Sequence, residues 1–232
     1  PNCVSYDPTF AYELAVILHS GLQRMFGAQE NVFYYITVMN ENYEHPPQPD
    51  GSTDGIVKGM YLLKQTEDAR IQLLGSGSIL REVIAAAGLL EDEFGVSSNI
   101  WSVTSFNELR REGLDCQRWN MLHPKETPRT SYVEAMLREH SGPVIAATDY
   151  VKVYADQIRE FIPHRYRVLG TDGFGRSDSR ENLRRFFEVN RYYICVAALK
   201  SLADEGEIDS ALVAQAIVNF GIDPEKPNPV TV

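Results

Sequence analysis

An α/β fold, with a mostly parallel sheet flanked by helices, is predicted by three features of this sequence. Short β-branched or aromatic runs at 71–74, 100–104, 144–147 and 166–169 alternate with helical stretches, the order that makes parallel sheets. Glycine-rich turns follow the first and last of these runs, at Gly75-Ser76-Gly77-Ser78 and from Gly170 to Gly175. No internal repeat or low-complexity tract interrupts the alternation. The 232 residues, 44% apolar and 23% charged, are enough to bury one large or two small cores.

The elements follow in order. Asp7 and Pro8 predict a helix start, a capping side chain followed by proline at the first helical position. Phe10, Leu14, Ile17, Leu18, Leu22 and Met25 then share one helical face, and Gly27 is a natural stop. Residues 32–38 predict a strand, and residues 40–54, polar and proline-rich, a boundary between two units at 1–54 and 55–232. A short helix is expected over 53–63. The strand at 71–74 leads to a helix over 78–94 with Leu80, Val83, Ile84, Ala87 and Leu90 inward. The strand at 100–104 leads to a polar helix over 107–118. Helices are expected at 132–138 and 151–161 around the strand at 144–147. After the strand at 166–169 come helices at 181–187, 191–203 and 208–220, with Ser177 or Ser179 capping the first of them. The tail DPEKPNPVTV is expected to be irregular.

Charge and composition exclude some classes. The net charge of −10 argues against nucleic acid as the main partner, since phosphate recognition needs clustered Lys and Arg. No apolar run reaches the roughly 20 residues of a membrane span, and no secretory signal pattern opens the chain. Three cysteines, Cys3, Cys116 and Cys195, lack metal-ligand spacing and imply free thiols in a reducing compartment such as the cytoplasm. The opening PNCVSYDP reads as part of a longer chain.

Several stretches carry enough polar chemistry to be weighed as sites. The turn between the last strand and its helix holds Asp172, Arg176, Asp178 and Arg180, either an ion-pair loop or a ligand loop. The Gly75–Ser78 turn before a helix has the geometry that binds anions. It lacks the third glycine and the distal acid of a dinucleotide fingerprint, so a tight turn capped by Ser78 is expected. Residues 40–45, Asn-Glu-Asn-Tyr-Glu-His, place two carboxylates, two amides, a phenol and an imidazole straight after a strand, where α/β active-site loops gather. Glu41, Tyr43, Glu44 and His45 are therefore the candidate catalytic group, against the plainer reading of a polar loop closing the domain. His19 is expected at a core edge or interface, Arg118 and Trp119 as a stacked pair, and His140 and His164 as structural. No Gly-x-Ser-x-Gly elbow is present.

The stretches LGTDGFGRSDSRENLR (169–184), LLGSGSILREV (73–83), DCQRWNMLHP (115–124) and YYITVMNENYEHP (34–46) occur in an order that resembles the homodimeric bacterial family of pyruvate dehydrogenases. Those enzymes are the thiamine-diphosphate-dependent component of the pyruvate dehydrogenase complex. The resemblance covers almost the whole chain but only the C-terminal quarter or so of such an enzyme. It implies that residues 1–54 end a thiamine pyrimidine-binding domain and that 55–232 form a transketolase-like C-terminal domain. It also implies a parent that decarboxylates pyruvate with thiamine diphosphate and Mg2+. That parent would work as a cytoplasmic homodimer and reductively acetylate the lipoyl group of a dihydrolipoyl acetyltransferase core. Relatives carry a histidine directly after the tyrosine of the 40–45 stretch; here Glu44 stands there and His45 follows. The family's Gly-Asp-Gly segment with its downstream asparagine pair, and the glutamate that activates the thiamine, are not among these residues. The chain alone is thus expected to bind no cofactor and to be inactive. Two alternatives stay open: a piece of a transketolase-like two-carbon transfer enzyme, and a non-catalytic α/β module binding a partner or regulatory anion at the Gly75 or Gly173 turns.

Overall fold

The computed structural model describes residues Pro1–Val232, which form two sheets. The smaller has two parallel strands, β1 (Cys3–Tyr6) and β2 (Phe33–Ile36), joined by α1 (Ala11–Leu22), whose last turn widens into a π-turn over Gln23–Gly27. The larger sheet has the order β3-β5-β4-β6-β7, from β3 (Met60–Lys64), β4 (Ile71–Gly75), β5 (Ser98–Val103), β6 (Val144–Ala147) and β7 (Tyr166–Leu169). Its pairings are parallel except for β3, which runs antiparallel along β5. This is the expected mostly parallel sheet with flanking helices.

The large sheet is buried on both faces, and its side chains divide with period two. Leu73, Ile145 and Ala147 face a core with α3 (Leu80–Phe94), α8 (Arg191–Asp204) and α9 (Ser210–Asn219). Leu74, Val144, Ala146 and Trp101 face a second core with α4 (Phe106–Leu122), α5 (Tyr132–Arg138) and α6 (Lys152–Asp156). Within that second core the Trp101 indole N–H donates to Gln72 Oε1 at 2.9 Å, which satisfies the polar edge of a fully buried ring. Side-chain caps at Ser105, Ser131, Asn190 and Asp209 set the starts of α4, α5, α8 and α9. The seventh helix, α7 (Arg180–Phe186), is capped by Ser179, one of the two residues expected there.

Several expectations are corrected. The first helix begins at Ala11, not at Pro8; Phe10 is still extended, with φ −108° and ψ 153°. Asp7 is not a cap, because its carboxylate accepts from Thr37 Oγ1 and from the Tyr150 and Tyr154 hydroxyls. The buried edge of α1 is Glu13, Ile17 and Gly21, while Leu18 and Leu22 are exposed. An apolar count misses that edge because a carboxylate opens it and a glycine ends it.

The helix expected over 53–63 is α2 (Thr53–Lys58) followed by β3. Gly59 divides them at φ +113°, and a Cβ there would lie 2.6 Å from the Ser105 carbonyl oxygen, so only glycine makes this turn. The helix expected over 151–161 is interrupted. The Gln157 side-chain amide donates to the Tyr154 carbonyl and to Asn107, and a 3₁₀ turn at Arg159–Phe161 follows. Finally, Ile84 points outward from α3. All three cysteines are free; burial pushes the Cys116 thiol up to about 11 and the Cys195 thiol up to about 12, so neither is a ready nucleophile.

Candidate active-site cleft

The order β3-β5-β4-β6-β7 reverses direction at β4: the chain passes from β4 to β5 on one side and returns to β6 on the other. In open α/β sheets the crevice outside the strand C-termini at such a point is the preferred ligand site. Here the loops after β4, β6 and β7 meet the segment that leaves β2. Together Val38 to Glu41, Ser78, Asp149, Thr171 and the Gly173–Arg184 stretch enclose a cleft of about 460 Å³. Of the two stretches that stood out in the sequence, 40–45 reaches the cleft through Asn40 and Glu41, and 170–184 supplies much of its lining.

Glu41 is half-buried and faces inward. Its Oε1 lies 2.8 Å from Arg81 Nη1, and its Oε2 lies 3.4 Å from Arg180 Nη1. The Arg81 guanidinium, hydrogen-bonded to it, holds the Glu41 carboxyl below the usual carboxylate range, with Arg180 and Arg184 adding to the effect. Arg180 also donates to Asn40 Oδ1. Tyr43 packs its ring under Arg81, 4.5 Å from the guanidinium carbon, and donates its hydroxyl to the Thr9 carbonyl. Burial raises the Tyr43 phenol above its ordinary value, so it acts as a donor.

His45 lies beside Tyr43, with ring centroids 4.5 Å apart, and its Nδ1 accepts from the Ala11 N–H at 3.0 Å. That bond assigns the proton of neutral His45 to Nε2 and uses the imidazole to close the first turn of α1. Glu44 is exposed and makes no hydrogen bond or ion pair in this network. The structure therefore joins Glu41, Tyr43 and His45 through α1 and Arg81, and leaves Glu44 outside.

The charged turn does not pair with itself. Asp172 pairs with Lys152 at 3.8 Å, Asp178 accepts from Ser179 N–H and Asn182, Arg180 reaches Glu41, and Arg176 lies 4.1 Å over the Phe186 ring. It works as a bridge between elements rather than an internal ion-pair loop. Ser78 is not a cap: its hydroxyl donates to Asp149 Oδ2, and the Gly77 N–H is taken by the Asp7 carbonyl. A carboxylate thus already occupies the mouth of the Gly75–Ser78 turn.

Arg129 rather than Arg118 stacks on Trp119, at 4.2 Å, with His123 on the same indole at 4.4 Å. His140 lies edge-on to Trp101 and beside Asn99, and His164 meets the Leu137 carbonyl; both are structural. His19 is exposed on α1 beside a surface groove shared with Tyr12 and Asp54.

Among the residues that escaped the sequence reading are Arg81, which holds the rim residues Glu41 and Tyr43, and Asp149, which lines the cleft. Arg81 was within the quoted 73–83 stretch, but nothing local shows that it reaches across to residue 41. Asp149 follows the strand at 144–147 in a Thr-Asp-Tyr run, and a polar run at a strand's C-terminal end was the available signal.

The cleft wall at Gly173 depends on the tail. Gly173 has φ +114°, and a Cβ there would lie 2.2 Å from the Pro229 carbonyl oxygen. Replacing it with alanine is expected to cost about 1–3 kcal/mol of stability and to raise hydrogen exchange at the Val230 and Thr231 amides, which bond to Asn228. Unchanged exchange at those amides would show that the tail does not brace the turn.

Comparison with known proteins bears on the same residues. The family model described as transketolase-like TK C-terminal domain matches residues 59–190, and the pyruvate dehydrogenase E1 component middle domain matches 1–46. The pyruvate dehydrogenase E1 component of Cupriavidus necator is 60% identical over 236 residues, covering 100% of this chain and 26% of the relative. Those of Pseudomonas aeruginosa and Escherichia coli K12 are each 58% identical, covering 99% of this chain and 26% of the relative. The chain thus spans about a quarter of the length of the curated relatives it matches.

Among solved structures, transketolase from Leishmania mexicana superposes with a TM-score of 0.62 at 20% identity, over 88% of this chain and 26% of that one. Transketolase from Campylobacter jejuni gives 0.57 at 18% identity, over 86% of this chain and 26% of that one. At these identities the two structures speak for the fold alone. With the switch-point cleft on one side and the E1 middle-domain match running into its rim on the other, the chain belongs to the transketolase-like C-terminal domain family, in the form carried by pyruvate dehydrogenase E1 components.

Proposed function

We propose that this chain is the C-terminal part of a thiamine-diphosphate-dependent pyruvate dehydrogenase, with residues 1–54 ending its pyrimidine-binding domain and residues 55–232 forming its C-terminal domain. The parent decarboxylates pyruvate and passes the two-carbon unit to the lipoyl group of a dihydrolipoyl acetyltransferase core, as a homodimer in the bacterial cytoplasm. The observation that carries this reading is the seating of the Asn40–Glu41 rim on the switch-point cleft, in a chain whose E1 relatives match both sides of that junction.

The donor set of the chain does not fit a divalent cation such as Mg2+. No group of three His, Cys, Asp or Glu side chains is placed to hold a metal ion, and the cleft's own carboxylate, Glu41, is tied to two arginines. The chain's contribution is therefore to shape and charge one wall of the active site. Arg176, Arg180 and Arg184 make that wall attractive to an anionic keto acid, although the chain as a whole is acidic. Glu41 supplies a fixed negative charge, and Tyr43 a protonated phenol, beside it.

The test is calorimetric titration of the purified chain with thiamine diphosphate and Mg2+, with pyruvate decarboxylation followed alongside it and alongside the full-length enzyme. The expected result is turnover by the full-length enzyme alone. Decarboxylation by the isolated chain would overturn the reading.

A further inference from the structure

The segment after β2, from residue 37 to residue 50, contains no helix or strand, so its side chains are held only by what they touch. Three supports are visible. The start of α1 holds Tyr43 and His45 through the Thr9 carbonyl and the Ala11 N–H. Helix α7 holds Asn40 and Glu41 through Arg180. Helix α3 holds Glu41 and Tyr43 through Arg81.

These supports differ in stiffness. Helix α7 has seven residues and none is buried. Helix α3 is rooted by Leu80, Val83, Ala86 and Leu90, all at 0% exposure, and its entry turn is bonded to the Asp7 carbonyl. The firmer helix also makes the shorter contact to Glu41, 2.8 Å against 3.4 Å.

We propose that Arg81 is a positioning residue for the cleft rim: from the first turn of α3 its guanidinium edge fixes the Glu41 carboxylate while its face fixes the Tyr43 ring. This rests on reading the cleft as part of the pyruvate dehydrogenase active site. A planar guanidinium can present an edge to a carboxylate and a face to an aromatic ring at once; an ammonium can do only one of these well. Arg81 thereby couples the transketolase-like domain to two of the rim's polar groups, and any shift of α3 is transmitted to both.

The charges facing Glu41 come from every element packed against it. Arg81 stands on α3, and Arg180 and Arg184 stand on α7, while Arg176 and Asp149 line the same cleft. Because the hydrogen bond from Arg81 is the largest of the influences that lower the Glu41 carboxyl, its removal lets Glu41 take up a proton at higher pH.

The test compares Arg81→Gln, Arg81→Lys, Glu41→Gln and the double variant R81Q/E41Q in the full-length enzyme, with kcat and KM for pyruvate measured across the acidic range. R81Q is expected to lower kcat more than it changes KM, by up to about a hundredfold, the scale set by displacing a reacting group by about 1 Å. Its acidic limb should move to higher pH. R81K should keep the limb near its original place while failing to restore kcat. The double variant should be no worse than E41Q alone.

A readout independent of activity is the carboxyl NMR titration of Glu41 in this chain, whose midpoint should rise in R81Q. Impaired E41Q with an unmoved limb and an unmoved Glu41 midpoint in R81Q would overturn the role of Arg81 while leaving the active-site reading in place. Wild-type kinetics in E41Q would remove the active-site reading itself. If R81Q failed to fold, R81K would decide, and wild-type kcat in R81K would overturn the proposal.

Discussion

Replacing Glu13 with alanine is expected to destabilise the chain by about 4 kcal/mol or more. Glu13 is fully buried on α1 with no arginine or lysine beside it, and its charge is held by donors alone. Oε2 accepts the backbone N–H groups of Thr9 and Phe10, the latter at 2.9 Å. Oε1 accepts the Tyr61 hydroxyl and the Ser102 hydroxyl, each at 2.6 Å. The Tyr12 hydroxyl in turn meets that of Tyr61, at 2.6 Å.

Alanine would leave the Ser102 hydroxyl and two amides buried without a partner, each costing about 1–3 kcal/mol, and the Tyr61 hydroxyl with Tyr12 alone, beside a new cavity. Glutamine keeps the volume but offers only one oxygen, so E13Q should fall between wild type and E13A. Burial and Glu13 together raise the Tyr61 phenol far above its ordinary value, so Tyr61 stays a donor across the working pH range. Urea unfolding measures the effect as a fall in midpoint at constant slope. A midpoint unchanged in E13A would mean that water replaces the carboxylate, and that the network does not hold the junction. The junction matters to the cleft, since Thr9 and Ala11 hold Tyr43 and His45 from the helix turn that Glu13 closes.

The same network shows what a sequence can and cannot reveal. Where an element is decided by local pattern, the expectation and the structure coincide: the strands at 144–147 and 166–169 and the helix at 132–138 have the expected limits. Short apolar runs bounded by turn residues and a serine cap are local facts. The first helix failed because its inward edge opens with Glu13, whose burial depends on Tyr61 and Ser102, 48 and 89 residues away. Strand β3 failed because five residues, Met-Tyr-Leu-Leu-Lys, fit a helix as well as an edge strand. Gly59 decided the matter through contact with the Ser105 carbonyl.

The cleft was half visible for the same reason. Residues 40–45 and 170–184 stood out as dense polar chemistry next to predicted strands; Asn40 and Glu41 of the first and much of the second line it. That they face each other is a consequence of strand order, which no window of sequence encodes. Glu44 and His45 illustrate the limit at the scale of one residue. Composition treats them alike as candidates; both are exposed, but the structure ties His45 to the Ala11 amide and gives Glu44 no such bond.

Gly142 supports the second large effect. It lies between α5 and β6 with φ +86°, and a Cβ there would be 1.9 Å from the Arg70 carbonyl oxygen and 2.6 Å from its carbon. Both partners are backbone, so no rotamer change relieves the contact. The neighbouring residues show why the chains run so close: the Gln72 N–H donates to the Pro143 carbonyl at 3.0 Å, and the Gln72 side chain donates to the Ser141 carbonyl at 2.9 Å. Gln72 also receives the Asn99 and Trp101 donors through its Oε1. Moving the 141–143 loop away would therefore break the entry of β4 beside β6 and unseat Trp101.

Alanine at 142 combines a strained backbone, about 1–3 kcal/mol, with an overlap that the sheet must open to relieve, about as much again. A loss of roughly 3–5 kcal/mol in denaturant unfolding is expected, at a half-buried and chemically silent position. Gly88, where a Cβ would meet nothing within 4 Å, is the control: on the interior of α3 alanine should be neutral or stabilising by up to about 1 kcal/mol. Equal effects at the two positions would mean that the approach of residue 142 to Arg70 is looser than the structure shows. A large loss at 142 with none at 88 would place the tight junction of the large sheet at the α5–β6 turn, beneath the strand ends that form the cleft.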